Sequence, residues 1–308
     1  MRKNHELWND VRRDWQLYLF LLLPLVYIII FSYVPMLGLQ ISFKDYNGRQ
    51  GMWGSPWVGL KHFYSFFTNH YFVRTLSNTL ILSAYSIICS FPFPIIMALV
   101  MNSLRSKAMK NICQTISTLP HFISTVVLVG MLFQFFNSRY GIYGNIAMLV
   151  NGTRPDDLFA SASNFRHFYI WSGVWQNFGW DSIMYLAALA GVDPCLHEAA
   201  TIDGASRFQR VIHVDIPSIL PTIVILLIMR TGKVMTIGFE KVYLMQNDLN
   251  LTTSEVISTY VYKMGLSASG KTDFSYSTAI GLFNSVINMI LITVVNKIAD
   301  VLSGTSMW

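Results

Sequence analysis

Six long apolar runs decide most of what this chain can become. They cover residues 17–39, 75–101, 117–136, 168–191, 216–245 and 277–301, and a helix needs about 20 apolar residues to cross the hydrocarbon core of a bilayer. Lipid offers no hydrogen-bond partner to an open strand edge. The sequence also lacks the alternating segments of about ten residues that mark a membrane barrel, so each run is predicted to be a spanning helix. The expected fold is all-α, a polytopic membrane protein with six transmembrane helices. Composition agrees, since 12% of the residues are charged against about 25% in an ordinary soluble domain.

The polar residues 1–16 form an expected cytoplasmic N-terminal segment ahead of a single transmembrane domain, 17–308. The first apolar run is too long for the core of a signal peptide and no small-x-small cleavage site follows it, so it is read as a retained span. The net charge of +6 is spread over termini, loops and one span, which excludes the one-sided basic face of a nucleic-acid binder. Cys89, Cys113 and Cys195 lack metal-ligand spacing and are read as free thiols. There is no H-E-x-x-H, Cys/His cluster or persuasive Ser/His/Asp set. A membrane enzyme acting on lipid-linked sugars would need acidic metal ligands at a membrane face, and only Asp156 and Asp157 offer themselves, in a turn after Pro155.

Lys and Arg near span ends set orientation. They divide almost evenly, but Arg2, Lys3, Arg12, Arg13, Arg105, Lys107, Lys110, Arg207, Arg210 and Lys297 lie in the shorter segments. Both termini are therefore expected in the cytoplasm of a bacterium, with the protein in its plasma membrane. The sequons at Asn151 and Asn250 then face outward and are read as chance occurrences. Pro24, Pro92, Pro94, Gly232 and Gly238 interrupt the spans; such breaks suit either irregular packing or a bundle that must open and close.

Between the fourth and fifth spans the chain turns polar, reading DPCLHEAATIDGASRFQRVIHVDIP over residues 193–217. Asp193 can cap a helix with Pro194 in its first position, and Gly204 can end it in the left-handed conformation. A second short helix is predicted from about Ser206. Orientation puts this hairpin in the cytoplasm.

Glu198-Ala199-Ala200, then Gly204, then Val214-Asp215-Ile216-Pro217 resembles the E-A-A-x3-G-x9-I-x-L-P signature of permeases in binding-protein-dependent ABC importers, with Val214 and Ile216 as conservative departures. The run from Gly238 to Leu266, the run from Ala279 to Leu302, and the N-terminal segment LYLFLLLPLVYIIIFSYVPMLGLQISFKDYN resemble the carbohydrate permeases of the LplB and MalF type. That resemblance implies a subunit for importing oligosaccharides or polysaccharide fragments by alternating access, with no enzymatic activity of its own. It implies a second permease subunit, two cytoplasmic ATP-binding subunits that use ATP and Mg²⁺, and an extracellular solute-binding protein. No cofactor is expected on this chain. It also implies that the hairpin docks in a groove of the ATPase through Leu196, Glu198, Ala199, Ala200 and Gly204. The small alanines permit close approach, and the carboxylate can make a charge-assisted hydrogen bond. A non-sugar cargo such as peptide, phosphate or an amino acid is the alternative, because the signature is shared across importers.

Gly265-Leu-Ser-Ala-Ser-Gly270-Lys271-Thr272 matches the phosphate-binding G-x4-G-K-[ST] pattern. It has no strand before it and no soluble sheet around it, so it is read as a flexible loop rather than a nucleotide site.

The spans themselves carry charge. Arg230, Lys233, Glu240 and Lys241 fall in the fifth run and Asp181 in the fourth, and ionised groups at such depth face the bundle interior or a wet cavity. Arg230 either pairs with Asp181 or lines the substrate path with Lys233, where acidic sugars such as uronate-containing, pectin-type fragments would suit the cations. Lys233 and Glu240, seven residues apart, are expected on one helical face. Asn284 and Asn288, with Gly281 and Ser285, form a small polar stripe that serves equally as helix-helix glue or as donors to hydroxyls. Trp175 and Trp180, near Gln176 and Asn177, suit stacking on sugar rings.

Overall fold

The computed structural model describes residues 13–266 and 272–304. Among them there is no strand, only an isolated bridge between Lys44 and Trp57. Lys271, and the cations Arg2, Lys3 and Arg12 used for orientation, lie outside the described residues.

Leaving the short turns Gly51–Gly54 and Leu251–Ser254 unlabelled, the helices in chain order are α1 (Trp15–Phe43), α2 (Lys61–Phe67), α3 (His70–Ser90), α4 (Pro92–Asn102), α5 (Lys107–Thr118), α6 (Thr125–Phe135) and α7 (Ile142–Asn151). They continue with α8 (Ala162–Ala190), α9 (Pro194–Ile202), α10 (Arg207–Arg210), α11 (Ile216–Thr231), α12 (Phe239–Met245), α13 (Ile257–Leu266) and α14 (Phe274–Ser303). Four helical stretches are long and apolar enough to cross a membrane, or five if α5 and α6, with the turn between them, count as one. α8 has the length, at 29 residues, but Arg166, Gln176, Asn177 and Asp181 make it the most polar of the long helices.

Two compact units emerge, Met1–Thr68 with Met264–Leu282, and Asn69–Lys263 with Phe283–Trp308. In the first, α1 is apolar on every side and its α-helical part, Trp15–Ile28, buries nothing, as suits a helix bathed in lipid. The loop after it folds on Lys44, whose ammonium donates to the Met52 carbonyl at 2.9 Å, while His62 contacts the Lys44 carbonyl at 3.1 Å.

In the second unit α8 is the hub, packing on α3, α4, α5 and α11. Toward its N-terminus it joins a core with Leu82, Phe165, Tyr169, Val174, Val242 and Met245; toward its C-terminus it joins another with Met101, Tyr185, Leu189 and Ile219. In lipid such cores hold by close packing rather than by escape from water. Gly179 shows how close: a Cβ there would stand 2.1 Å from the Ser117 carbonyl oxygen, so only glycine lets α5 and α8 cross at this point. Asp181 lies between the two cores.

Two expected spans are not single helices. The run 117–136 bends by 94° between its two helical parts. Pro120 removes a backbone donor, and Ser124 caps the next helix by accepting from Val127 N at 3.4 Å. The run 216–245 ends as a helix at Thr231, passes through a 3₁₀ turn at Val234–Thr236 and resumes at Phe239. Arg230 is therefore in the last turn of its helix rather than mid-span. Lys233 and Glu240 do not share a helical face, since the break lies between them.

Candidate coupling hairpin and helix-break cavity

The hairpin is fastened by local chemistry at each corner. Asp193 accepts from Cys195 N at 2.9 Å and so satisfies one of the free donors of the first turn of α9. Gly204 has φ +79°, which L side chains rarely adopt, and the amide of Ala205 then reaches back to the Ala200 carbonyl at 2.9 Å. Ser206 and Gln209 form a reciprocal capping box at the start of α10. Arg210 Nη1 donates to Thr201 Oγ1 at 3.0 Å, tying α10 to α9.

Leu196, Glu198, Ala199 and Gly204 are exposed and Ala200 is half-buried. Sequence reading missed Ile202 and Phe208, which are 87% and 73% exposed. Two large apolar side chains flanking a capped glycine turn were the available signal, since apolar groups gathered on one exposed surface mark an interaction site. Cys195 is exposed as well, while Cys89 and Cys113 are partly screened.

The second constellation forms where α11 breaks. Arg230 pairs with Asp181, and its other guanidinium nitrogen donates to Ser90 Oγ at 3.1 Å. A Cβ on Gly232 would come within 2.7 Å of Ile292 Cδ1. The unwound segment frees backbone groups that must be satisfied elsewhere. Asn288 Oδ1 accepts from Met235 N at 3.3 Å, Asn284 Nδ2 donates to Met235 O at 3.0 Å, and the Ser83 hydroxyl donates to the Val234 carbonyl. Both asparagines thus hold the broken backbone. Beside it lies a cavity of about 280 Å³ edged by Ser83, Ser86, Ser90, Arg230, Lys233 and Thr236, in which hydroxyls and two cations face one space.

Three of the other residues singled out from the sequence lie apart. Glu240 is exposed in the first turn of α12. Trp180 stacks on His121 at 4.5 Å and 6°, and His121 in turn contacts Asn177 at 2.9 Å. Trp175 lines a separate apolar cavity of about 540 Å³ with Trp171, Phe168 and Leu128. The charge within the bundle also includes Lys241, which sequence reading noted without a role; it donates to the Tyr169 carbonyl at 2.9 Å and lies over that ring.

A family model described as "Binding-protein-dependent transport system inner membrane component" matches residues 90–303. The chain is 43% identical to the protein LplB of Bacillus subtilis, over 94% of this chain and 90% of that one. It is 40% identical to the polygalacturonan/rhamnogalacturonan transport system permease protein YteP of the same organism, over 92% and 87%. Among solved structures, it resembles a chain of a bacterial ABC transporter involved in the import of the acidic polysaccharide alginate, with TM-score 0.88 and 37% identity over 97% of this chain and 99% of that one. A second structure, of a bacterial alginate ABC transporter in complex with an alginate pentasaccharide-bound periplasmic protein, gives TM-score 0.88 and 36% identity over 98% and 99%.

Proposed function

We propose a function for this chain from one premise: it belongs to the binding-protein-dependent transport system inner membrane component family. It is a multi-pass permease of an ABC importer in the inner membrane, and a transport component rather than an enzyme. The cargo is an oligosaccharide, and specifically an acidic one bearing uronate carboxylates. The observation that carries the acidic reading is the helix-break cavity, where Arg230 and Lys233 share one space with the hydroxyls of Ser83, Ser86, Ser90 and Thr236. Cations matched to carboxylates, and hydroxyls matched to hydroxyls, are the groups that such a sugar needs. The names of similar proteins, a polygalacturonan/rhamnogalacturonan permease and an alginate importer, support the same class.

The remaining parts follow from this role. Six spans, with α5–α6 as a bent one and α8 as the most polar, put both termini and the 193–217 hairpin in the cytoplasm. There α9 docks in a groove of an ATPase, using Glu198, the alanines, and the exposed Ile202 and Phe208. A second permease completes the pathway, two ATP-binding subunits hydrolyse ATP with Mg²⁺, and a solute-binding protein delivers the sugar outside. No cofactor is needed on this chain. Closure of the pathway around the cavity, and its opening to the other side, would alternate with the ATPase cycle.

Uptake of neutral and uronate oligosaccharides by Arg230→Gln and Lys233→Gln variants tests the cargo. The acidic sugar is expected to lose at least tenfold while the neutral one loses little; equal losses would remove the charge argument. For the hairpin, Glu198→Ala and Gly204→Val are each expected to abolish uptake and lower transport-coupled ATP hydrolysis, with the external binding protein still holding its sugar. Normal uptake in both would sink the docking role.

A further inference from the structure

Asp215 stands at the foot of α11, directly before its first residue, and is 3% exposed. A buried carboxylate persists only where charge partners and hydrogen bonds offset its lost hydration, and here they come from two other elements. His197 Nε2, on α9 of the hairpin, lies 3.3 Å from Asp215 Oδ1. Asn102 Nδ2, on the last residue of α4, donates to the same oxygen at 3.4 Å.

The far end of α11 repeats the arrangement. Arg230 is 15 residues on from Asp215, a rise of about 22 Å, and donates to Ser90, which ends α3 just before α4 begins. α11 is thus fastened at its foot to the end of α4 and at its head to the last residue of α3. Among the described residues, Asp215 is the buried one of the side chains that fasten this helix to α9. Ser206 and Gln209 close the hairpin on itself, whereas Arg210, donating to Thr201, lies on the helix that runs unbroken from Arg207 to Thr231 and makes a second, exposed tie between α9 and that helix. Beside His197 an open cavity of about 610 Å³, bounded by Asn102, Arg105, Glu198 and Arg207 among others, leaves α9 room to shift against the end of α4.

We propose that the His197–Asp215 pair is the buried link that delivers movement of α9 to α11, and through it to the cavity around Arg230. His197 and Asp215 are positioning residues, touching neither cargo nor nucleotide. A packed helix is too stiff to absorb a displacement applied at one end, so a pull on Asp215 reaches Arg230 and its contacts with Asp181 and Ser90. This rests on the docking role proposed above for the hairpin.

The test uses the full complex, with both permeases, the ATPases and the binding protein, in proteoliposomes. The cargo is whichever member of the alginate and galacturonan oligosaccharide series the native complex takes up. Uptake and ATP hydrolysis are measured on the same vesicles. His197→Ala and Asp215→Asn are expected to keep the ATPase bound and hydrolysing while uptake per ATP falls at least fivefold. His197→Gln keeps a donor toward Asp215 and is expected to retain most coupling. The paired exchange His197→Asp with Asp215→His is expected to recover at least half of the native ratio. Unchanged uptake per ATP in both single variants overturns the link. So does a ratio that stays native while uptake and hydrolysis fall in step, which would mark a purely structural contact. Failure of the docking reading has a separate sign: full uptake and a retained ATPase in Ala199→Trp, which crowds the exposed face of α9 away from Asp215.

Discussion

Glu255 and Asp181 each hold an arginine, and their settings differ. Glu255 is 4% exposed and sits between Arg74 and Lys263, the latter at 3.3 Å. Asn78 braces the same corner by donating to the carbonyls of Thr252 and Glu255 at 2.9 and 3.1 Å, and it accepts from Arg166 at 2.9 Å. Asp181 and Arg230, by contrast, are about one-third exposed on both side chains, 31% and 29%, and Arg230 borders a cavity. In the closed cluster the buried Glu255 carboxylate is shared by two cations, and it fixes where the chain from Met245 to Ile257 lies. Under the function proposed above, the open pair would exchange an internal carboxylate for one brought in by a cargo. Identical functional groups thus become scaffold or site according to whether water and ligand can reach them.

The contrast can be broken at several strengths. Glu255→Ala removes the buried carboxylate shared by Arg74 and Lys263, whose own side chains are 28% and 30% exposed, and is expected to cost about 2–3 kcal/mol, seen as a drop in thermal stability and yield of the purified complex. A melting curve close to native would show that the cluster is not the scaffold described. Asp181→Asn is expected to cost only about 1 kcal/mol, because this carboxylate, unlike that of Glu255, is itself partly hydrated. Its main effect should be on transport, with a changed KM for acidic cargo; an effect on melting as large as that of Glu255→Ala would erase the distinction. The smallest change is expected for Lys233→Gln, an exposed side chain, with stability within about 0.5 kcal/mol of native and its effect confined to uptake of charged sugar.

The features that sequence displayed well were local. Asp193, Pro194, Gly204 and Ser206 act within a few residues of themselves, so the hairpin was legible down to its caps. The apolar runs showed where helices could cross a bilayer, and depth along two of them brought Asp181 and Arg230 together as one of two open readings. Hydropathy, however, averages over backbone direction. It ran smoothly through Ile123 and through Val234–Ile237 although the helix turns sharply at the first place and unwinds at the second, and Pro120, Gly232 and Gly238 were the only hints. The partners of Asn284 and Asn288 follow from that unwinding and were hidden with it. Glu255 gave no sign at all, since Arg74 is 181 residues away and nothing near either residue speaks of the other. Asp215 was read as a letter between two motif positions, while its burial depends on α4.

Cys195 carries a practical meaning. It lies on α9, exposed, in a chain whose other two thiols are partly screened. Alkylating reagents should find it first, so the native protein brings its own attachment point for a fluorophore. The rate at which that sulfur reacts becomes a clock for how much of each cycle the hairpin spends uncovered.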